Sequence, residues 1–241
     1  MPDAAGQPPI LFLDFDGTVS ERDAIDALLE AFADPQWLPI EAEWQAGRIG
    51  SRECLRTQMA LVRASRGEVN ALLDSIKVDR GFATLLETCA SLGVPAHIVS
   101  DGLDYCIRRI LAHAGPRVAR ALAHVQIYSS RLKLEGEGWR VECSEFAGAC
   151  PHGCATCKPA VMRRLNPTGA RSLFVGDGLS DRYAAESADL VFAKGKLADY
   201  CRAQSIAHVV YDDLSKVAAY LEALLRADAR AAEEAAEPVE A

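Results

Sequence analysis

The sequence predicts an α/β protein built on a Rossmann-like parallel sheet, with a helical segment inserted after the first strand. Short apolar or β-branched runs alternate with stretches of helical periodicity, an order typical of parallel strands joined by crossover helices. Five runs are predicted as strands: PILFLDF, VPAHIVS, RSLFVGD, DLVFA and AHVVY. The chain has 241 residues, of which 50% are hydrophobic, and it can therefore bury a sizeable core.

The first predicted strand belongs to an α/β core that comprises residues 1–19 and 79–226. Residues 20–78 show no strand pattern and carry several stretches of helical periodicity. We expect them to form a helical cap over the core. The alanine-rich and acidic residues 227–241 are predicted to form a disordered tail.

Residues 129–157 interrupt the alternation of strands and helices within the core. They begin inside a predicted hairpin, VQIYSSRLKLEGEGWRVEC, which turns near Gly136 to Gly138. A cysteine-rich loop follows, with four thiols: Cys143, Cys150, Cys154 and Cys157. Their C-x3-C-x2-C spacing is close to that of structural zinc sites, so we expect either structural Zn²⁺ or reduced or disulfide-capable thiols.

Composition excludes several classes of partner. The net charge of −8 argues against an extended surface for nucleic acid or for an anionic membrane. No apolar run reaches the roughly 18 residues of a membrane-spanning helix, and MPDAAGQPP lacks the features of a signal peptide. We expect a cytoplasmic protein whose partner is a small molecule, and composition leaves the oligomeric state open.

Three predicted strands end in polar residues, and parallel strands bring such ends to one edge of the sheet. The polar residues are Asp14 and Asp16, Ser100 and Asp101, and Asp177 with Asp181. Ligands of open α/β sheets bind at that edge. Each motif alone also has a plainer explanation, since Asp-x-Asp-Gly is an ordinary turn and a serine before a helix is an ordinary N-cap.

Together, these residue types favour a site for a metal ion and a phosphate group. Carboxylates suit a hard cation such as Mg²⁺, which leaves positions for water and substrate phosphate. Ser100 precedes a predicted helix, where a hydroxyl and backbone N–H groups can bind an anion. Lys158 stands before Pro159, which is favoured in the first turn of a helix, so a loop can present this lysine to the sheet edge. A lone lysine is otherwise an ordinary surface charge.

The combination of DxDGT, a serine strand end, a lysine before a helix and GDxxxD resembles the haloacid dehalogenase superfamily of phosphatases. The resemblance extends from about Ile10 to Leu225 and includes all four motifs in their order. It implies a haloacid dehalogenase type of sheet with a cap inserted after the first strand. It also implies a magnesium-dependent phosphatase that forms an aspartyl phosphate.

The resemblance assigns a role to each motif residue. Asp14 would be the nucleophile, and Asp16 would protonate the leaving group and then activate water. Ser100 and Lys158 would hold the phosphoryl oxygens, and Asp101 and Gly102 complete this phosphate-binding motif. The residues implied for Mg²⁺ are Asp14, Asp16 through its backbone carbonyl, Asp177 and Asp181.

Within the superfamily, the chain resembles the branch of phosphoserine phosphatase, phosphocholine/phosphoethanolamine phosphatase and a phosphatase of methionine salvage that acts on an enol phosphate. It is most similar to the last of these, through CPHGCATCKPAVM, DPQWLPI and DLVFAKGKLADYCRAQSIAHVVYDDL. A non-catalytic phosphate-binding protein on the same scaffold is the alternative from another functional class. The intact set of motif residues favours the enzyme.

Two departures from this branch bear on the substrate. Many members have Ser-Gly-Gly at the second motif, whereas this chain has Asp101 in the middle position, which adds negative charge beside the phosphate pocket. Phosphoserine phosphatases carry a cap arginine for the substrate carboxylate, and Gln58 falls at that position, with Arg56 nearby. Asp23 falls where those enzymes hold the substrate amine, and it can bind an amine or a hydroxyl or begin a helix.

Overall fold

A computed structural model describes residues 7–135, 138–144, 146, 148 and 150–236. Its strands are β1 (Ile10–Leu13), β2 (Ala96–Leu103), β3 (Gln126–Glu135), β4 (Gly138–Glu142), β5 (Ser172–Gly176), β6 (Leu190–Ala193) and β7 (His208–Val210). They form one sheet in the order β4-β3-β2-β1-β5-β6-β7, parallel except for the antiparallel pair β3–β4. The predicted fold class is confirmed, and the hairpin pairs as expected. Its predicted turn, near Gly136 to Gly138, lies mostly outside the described residues.

Residues 20–78, here called the helical segment, contain four helices. They are α1 (Ala24–Phe32), α2 (Trp37–Gln45), α3 (Ser51–Met59) and α4 (Arg66–Ser75). The Asp23 carboxylate accepts hydrogen bonds from the first turn of α1, and Ser65 and Glu68 form a capping box on α4. Ser20 pairs with Val78 in an antiparallel bridge, so the two ends of the segment lie side by side.

In the residues that the structure describes, seven further α-helices cover the sheet or follow it. They are α5 (Phe82–Ser91), α6 (Asp104–His113), α7 (Pro116–Ala121), α8 (Lys158–Leu165), α9 (Arg182–Ala185), α10 (Gly195–Ala203) and α11 (Leu214–Ala236). The predicted disordered tail, 227–241, is helical as far as Ala236, because its alanines favour a solvent-exposed helix; 237–241 lie outside the described residues. None of the helices in the described part of the chain is long and apolar enough to cross a bilayer.

The core lies on both faces of the sheet. In β1, Leu11 and Leu13 are fully buried in the larger apolar cluster, whereas Phe12 is fully buried in a second cluster with Phe174. Successive side chains of a strand point to opposite faces, so helices must cover both faces of this central strand. The sheet edge that follows Leu13 is then the nearest place where β1 can present polar groups.

The N-terminus of α11 depends on Asp213, a buried carboxylate. Its Oδ1 accepts a hydrogen bond from the Ser215 N–H at 2.9 Å, and its Oδ2 accepts one from Arg80 Nε at 3.1 Å. Hydrogen bonds from Ser215 and Arg80 lower the pKa of Asp213 to about 2. The ionised carboxylate therefore caps α11 and ties it to the start of α5.

We expect Asp213→Ala to lower the free energy of unfolding by about 1 kcal/mol at pH 7, the usual cost of a lost N-cap. Because the pKa of Asp213 is lower in the folded state than the ~3.9 of an unfolded aspartate, its contribution is complete above pH ~4. It is lost as the pH falls towards about 2. Urea unfolding at several pH values measures this, with the exposed Asp212→Ala as control. Equal midpoints for the two variants would contradict the capping role.

Candidate active site

The polar strand ends meet at one edge of the sheet. β1 lies between β2 and β5, so the carboxyl ends of these three strands are adjacent. Asp14 and Ser100 are both buried, and Asp177 follows β5. Together with Asp16 and Asp101 they line a cavity of about 410 Å³. The edge predicted from the sequence is therefore the wall of a cavity large enough for a small ligand.

Three carboxylates converge at the floor of this cavity, and two of them, Asp14 and Asp177, line it directly. Asp14, Asp177 and Asp181 each place one oxygen within 4.8 Å of the others. Asp181 is fully buried and accepts hydrogen bonds from the N–H groups of Asp177, at 3.0 Å, and Gly178, at 3.1 Å. Thr18 Oγ1 donates to Asp177 Oδ1 at 3.0 Å. This set of hard oxygen donors fits Mg²⁺.

Lys158, the first residue of α8, provides the positive charge beside these carboxylates. Its side chain is 2% exposed, and Nζ lies 2.7 Å from Asp14 Oδ1 and also contacts Asp181 Oδ1. Burial disfavours the ammonium ion, but the neighbouring carboxylates outweigh burial and raise the pKa of Lys158 above its usual value. Lys158 is therefore charged, and it offsets the repulsion among the carboxylates.

Two glycines allow the carboxylates to approach the backbone. Gly17 has φ +73°, and a Cβ there would lie 2.3 Å from Asp177 Oδ2. A Cβ on Gly102 would lie 2.3 Å from Asp16 Oδ2, so this position also excludes a side chain. The Gly102 N–H donates to Ser100 Oγ at 2.9 Å, within an irregular stretch of β2. Ser100 therefore shapes the cavity wall, and it does not cap α6, which begins at Asp104.

Asp16 occupies a site that favours its protonated form. Its Oδ1 accepts a hydrogen bond from the Ala24 N–H at 2.9 Å, which joins the end of β1 to the start of α1. Burial, followed by the nearby charge of Asp23, raises the pKa of Asp16 well above its ordinary value. Burial and the nearby Asp26 raise the pKa of Asp23 to about 6. A raised pKa favours the protonated carboxyl group, which is the form that can act as an acid.

The opposite wall of the cavity comes from the helical segment. Helices α1 to α3 and the N-cap of α1 contribute lining residues. These include Asp23, Asp26, Glu41, Trp44 and Gln58. Gln58 Nε2 donates to Glu41 Oε2 at 3.0 Å, so the amide orients a carboxylate. Sequence reasoning missed Asp26, Glu41 and Trp44. The lack of a buried apolar face along α2 is the feature that sets this helix apart from its neighbours.

Arg56, predicted as a substrate residue, does not line this cavity. Arg56 and Gln58 are two residues apart on α3, which turns their side chains about 200° from each other. Gln58 is buried at the cavity, whereas Arg56 is exposed and lines a separate surface cavity beside Gly50 and Gly153. The arginine therefore cannot replace the missing carboxylate-binding group in this arrangement.

Asp101, predicted as part of the phosphate-binding motif, uses both carboxylate oxygens elsewhere. Oδ2 accepts a hydrogen bond from Ser51 Oγ at 2.6 Å, and Oδ1 accepts one from the Thr156 N–H at 2.8 Å. A carboxylate also repels a phosphate group. The Asp101 side chain lines the cavity and offers no donor to an anion, so this carboxylate is not a phosphate ligand in this geometry.

The predicted zinc site is not supported. In the described ranges, the acidic group at the cavity floor is the only set of three or more histidine, cysteine or acidic side chains whose ligand atoms lie within 4.8 Å of one another. The Cys150 thiol hydrogen-bonds to those of Cys154 and Cys157, but the three do not converge as a metal site requires. Cys143 instead packs against the main core. All eight cysteines are free thiols.

The sequence is similar to a known family of hydrolases and to proteins named as phosphatases. The family profile described as haloacid dehalogenase-like hydrolase matches residues 11–186. A 2-hydroxy-3-keto-5-methylthiopentenyl-1-phosphate phosphatase from Exiguobacterium sp. strain AT1b is 29% identical over 86% of this chain and 94% of its own length. A protein of the same name from Geobacillus kaustophilus is 28% identical over 84% of this chain and 90% of its own.

The fold is also found in solved structures. A phospho-aspartyl intermediate analogue of phosphoserine phosphatase has a TM-score of 0.65 at 16% identity, covering 89% of this chain and 99% of that one. Cytosolic 5'-nucleotidase IIIB bound to cytidine has a TM-score of 0.59 at 12% identity, covering 92% and 86%. At these identities the similarity concerns the fold alone.

Proposed function

Since the chain belongs to the haloacid dehalogenase-like hydrolase family and is a phosphatase of small phosphorylated metabolites, we propose that it hydrolyses a phosphate monoester through an aspartyl phosphate on Asp14. The convergence of Asp14, Asp177 and Asp181 around the buried Lys158 is the observation that carries this proposal. An anion that enters the cavity would meet Asp14 as nucleophile and Asp16 as proton donor, with the Lys158 ammonium ion 2.7 Å from Asp14.

In the first step, an oxygen of Asp14 bonds to phosphorus as the bond to the leaving oxygen breaks. Asp16 gives its proton to that oxygen, so an alcohol departs and a phosphoryl group remains on Asp14. In the second step, Asp16 takes a proton from water, which attacks phosphorus and releases inorganic phosphate. Asp14 is thereby regenerated as a carboxylate, and Asp16 is protonated again for the next cycle.

The carboxylates of Asp14 and Asp177 and the backbone carbonyl of Asp16 would hold Mg²⁺, with Asp181 supporting them. When bound, the ion neutralises negative charge on the phosphoryl oxygens. Ser100 and Lys158 would bind those oxygens from the protein side. Because Gly17 has no side chain beside Asp177, the phosphoryl group could approach these ligands closely.

The first candidate substrate is 2-hydroxy-3-keto-5-methylthiopentenyl-1-phosphate. Relatives of that name match most of this chain at 25–29% identity, and the helical segment would serve as the cap that encloses the leaving group. A small-metabolite substrate also favours the cytoplasm as the place of action. The acidic net charge of −8 supports the absence of a nucleic-acid or membrane partner.

The wall formed by the helical segment favours a second candidate, a substrate with a cationic leaving group such as phosphocholine or phosphoethanolamine. Asp23, Asp26 and Glu41 bring carboxylates to that wall, and Trp44 adds an indole ring. Aromatic rings and carboxylates together bind quaternary and primary ammonium groups. An uncharged leaving group, such as that of the enol phosphate, would bring no cation to these carboxylates.

Phosphate release from paired substrates distinguishes the two candidates. The enol phosphate, phosphocholine and its neutral isostere 3,3-dimethylbutyl phosphate are compared with Mg²⁺ and with EDTA. If the acidic wall reads the leaving group, phosphocholine should exceed its isostere in kcat/KM by roughly tenfold or more, and Glu41→Gln should reduce this ratio. A kcat/KM that is highest for the enol phosphate, with no difference within the pair, would support the first candidate. Undiminished activity in EDTA would contradict the role of Mg²⁺.

A further inference from the structure

Asp101 connects three separate parts of the molecule. It lies in β2, next to Ser100. Its Oδ2 accepts a hydrogen bond from Ser51, the first residue of α3 in the helical segment, at 2.6 Å. Its Oδ1 accepts a hydrogen bond from the Thr156 N–H at 2.8 Å, two residues before Lys158. We call residues 150–157 the Lys158 loop, because they lead directly into this lysine.

The helical segment and the Lys158 loop also touch each other at this point. Ser51 Oγ accepts a hydrogen bond from the Ala155 N–H at 3.1 Å, and the Arg52 N–H donates to the Gly153 carbonyl at 2.9 Å. A Cβ on Gly50 would lie 2.5 Å from that same carbonyl oxygen, so the two backbones are in direct contact. The segment cannot lift from the loop without breaking several hydrogen bonds.

Both oxygens of Asp101 accept from neutral donors, and the two donors belong to different elements. A single carboxylate therefore holds Ser51 and Thr156 at a fixed separation. Burial raises the pKa of Asp101 above its ordinary value, and the nearby positive charge of Lys158 offsets part of that rise. An apolar residue at this place would leave the Thr156 N–H, in a fully buried residue, without an acceptor.

We propose that Asp101 is a positioning residue that holds the helical segment, through Ser51, and the Lys158 loop, through Thr156, in one arrangement over the cavity. The kinetic part of this inference rests on the proposed function, in which Lys158 binds the phosphoryl group and the segment encloses the leaving group. The hydrogen bonds of Asp101 to Ser51 and Thr156 align the wall formed by the helical segment with the end of the cavity beside Lys158.

A simple electrostatic role for Asp101 predicts the opposite result. If its charge only repelled the anion, Asp101→Ala would strengthen the binding of inorganic phosphate as a product inhibitor. If Asp101 positions Lys158, Asp101→Ala should weaken phosphate inhibition and lower kcat/KM, each by roughly tenfold. Asp101→Asn removes the charge but retains an acceptor for Thr156 and a donor for Ser51. It should stay within about threefold of the parent in both measurements.

Residue-resolved hydrogen exchange on the parent protein, Asp101→Ala, Asp101→Asn and Ser51→Ala tests the contact without any need for activity. Loss of a local hydrogen bond would affect the Thr156 amide alone. Release of the helical segment from the loop should instead speed exchange at Thr156, Ala155 and Arg52 together, and do so in Asp101→Ala and Ser51→Ala alike. Asp101→Asn should keep all three amides protected.

The outcomes separate this inference from the proposed function. Faster exchange at all three amides, together with weaker phosphate inhibition in Asp101→Ala, supports the positioning role. Exchange limited to Thr156, or tighter phosphate inhibition in Asp101→Ala, overturns it. If the parent releases no phosphate from any substrate, the proposed function fails, and the exchange pattern still decides whether Asp101 holds the two elements together. Should Asp101→Ala fail to fold, Ser51→Ala provides the same comparison from the other side of the contact.

Discussion

Asp14→Asn is expected to lower kcat by roughly 10⁴-fold or more, the scale on which the loss of a catalytic nucleophile acts. The amide is nearly isosteric with the carboxylate, but it is a poor nucleophile and cannot form a stable acyl phosphate. Asp14 lines the cavity and lies 2.7 Å from the Lys158 ammonium ion, so the substitution removes the carboxylate that stands beside this cation. Phosphate release from the preferred ester, at saturating substrate and Mg²⁺, measures this effect.

The fold should survive this substitution, because Lys158 keeps its contact with Asp181. Circular dichroism and thermal unfolding test this, with the exposed Asp212→Asn as a control that should change neither stability nor rate. Acid quenching of the parent during turnover should trap one phosphoryl group on the protein, detected by mass. Hydrolysis by Asp14→Asn near the parent rate would remove Asp14 as the nucleophile. A parent that binds phosphate without any turnover would indicate the non-catalytic alternative.

Lys158→Met is expected to lower the free energy of unfolding by about 3 to 5 kcal/mol in EDTA, because it leaves the carboxylates of Asp14 and Asp181 buried without their cation. Met has a similar length and fills the same space, so the effect comes from charge. The rate of phosphate release with Mg²⁺ should fall by roughly 100-fold or more, the cost of one lost donor to the transferring group. Urea unfolding and steady-state kinetics measure the two effects.

The exposed Lys216→Met provides the matched control and should change stability by less than ~0.5 kcal/mol. Adding Asp181→Asn to Lys158→Met removes one of the uncompensated charges. The combined loss of stability should therefore be smaller than the sum of the two single losses. A Lys158→Met protein as stable as the parent would show that the carboxylates do not depend on this ammonium ion.

The motif residues of the site could be predicted because short-range sequence fixes them. An apolar run such as Ile10–Leu13 defines a strand, and the polar residues that follow it must lie at the carboxyl edge of a parallel sheet. The same reasoning located Asp177, whereas β2 continues past Ser100 to Leu103 in an irregular stretch. The order of strands in space was not needed, since every parallel strand ends at that edge.

The remaining features depend on contacts between distant residues. Ser51 and Asp101 are 50 positions apart, and nothing in their neighbouring sequence reveals the hydrogen bond. The carboxylates of the cavity wall could not be predicted, because their placement depends on the orientation of α2, a helix that has no buried face. The spacing of Cys150, Cys154 and Cys157 suggested zinc, but the loop that carries them does not bring their thiols together as a metal site requires.

The paired ends of the helical segment give the architecture a modular character. Besides the bridge between Ser20 and Val78, the Glu21 N–H donates to the Lys77 carbonyl at 2.9 Å, and the Asp79 N–H donates to the Val19 carbonyl at 2.8 Å. Because its two ends are paired, the insert acts as a single loop between β1 and the rest of the core. The entropic cost of closing such a loop rises only with the logarithm of its length. Evolution can lengthen, shorten or exchange this insert without disturbing strand order. The cavity wall that the insert supplies can then vary while the residues at the sheet edge stay the same.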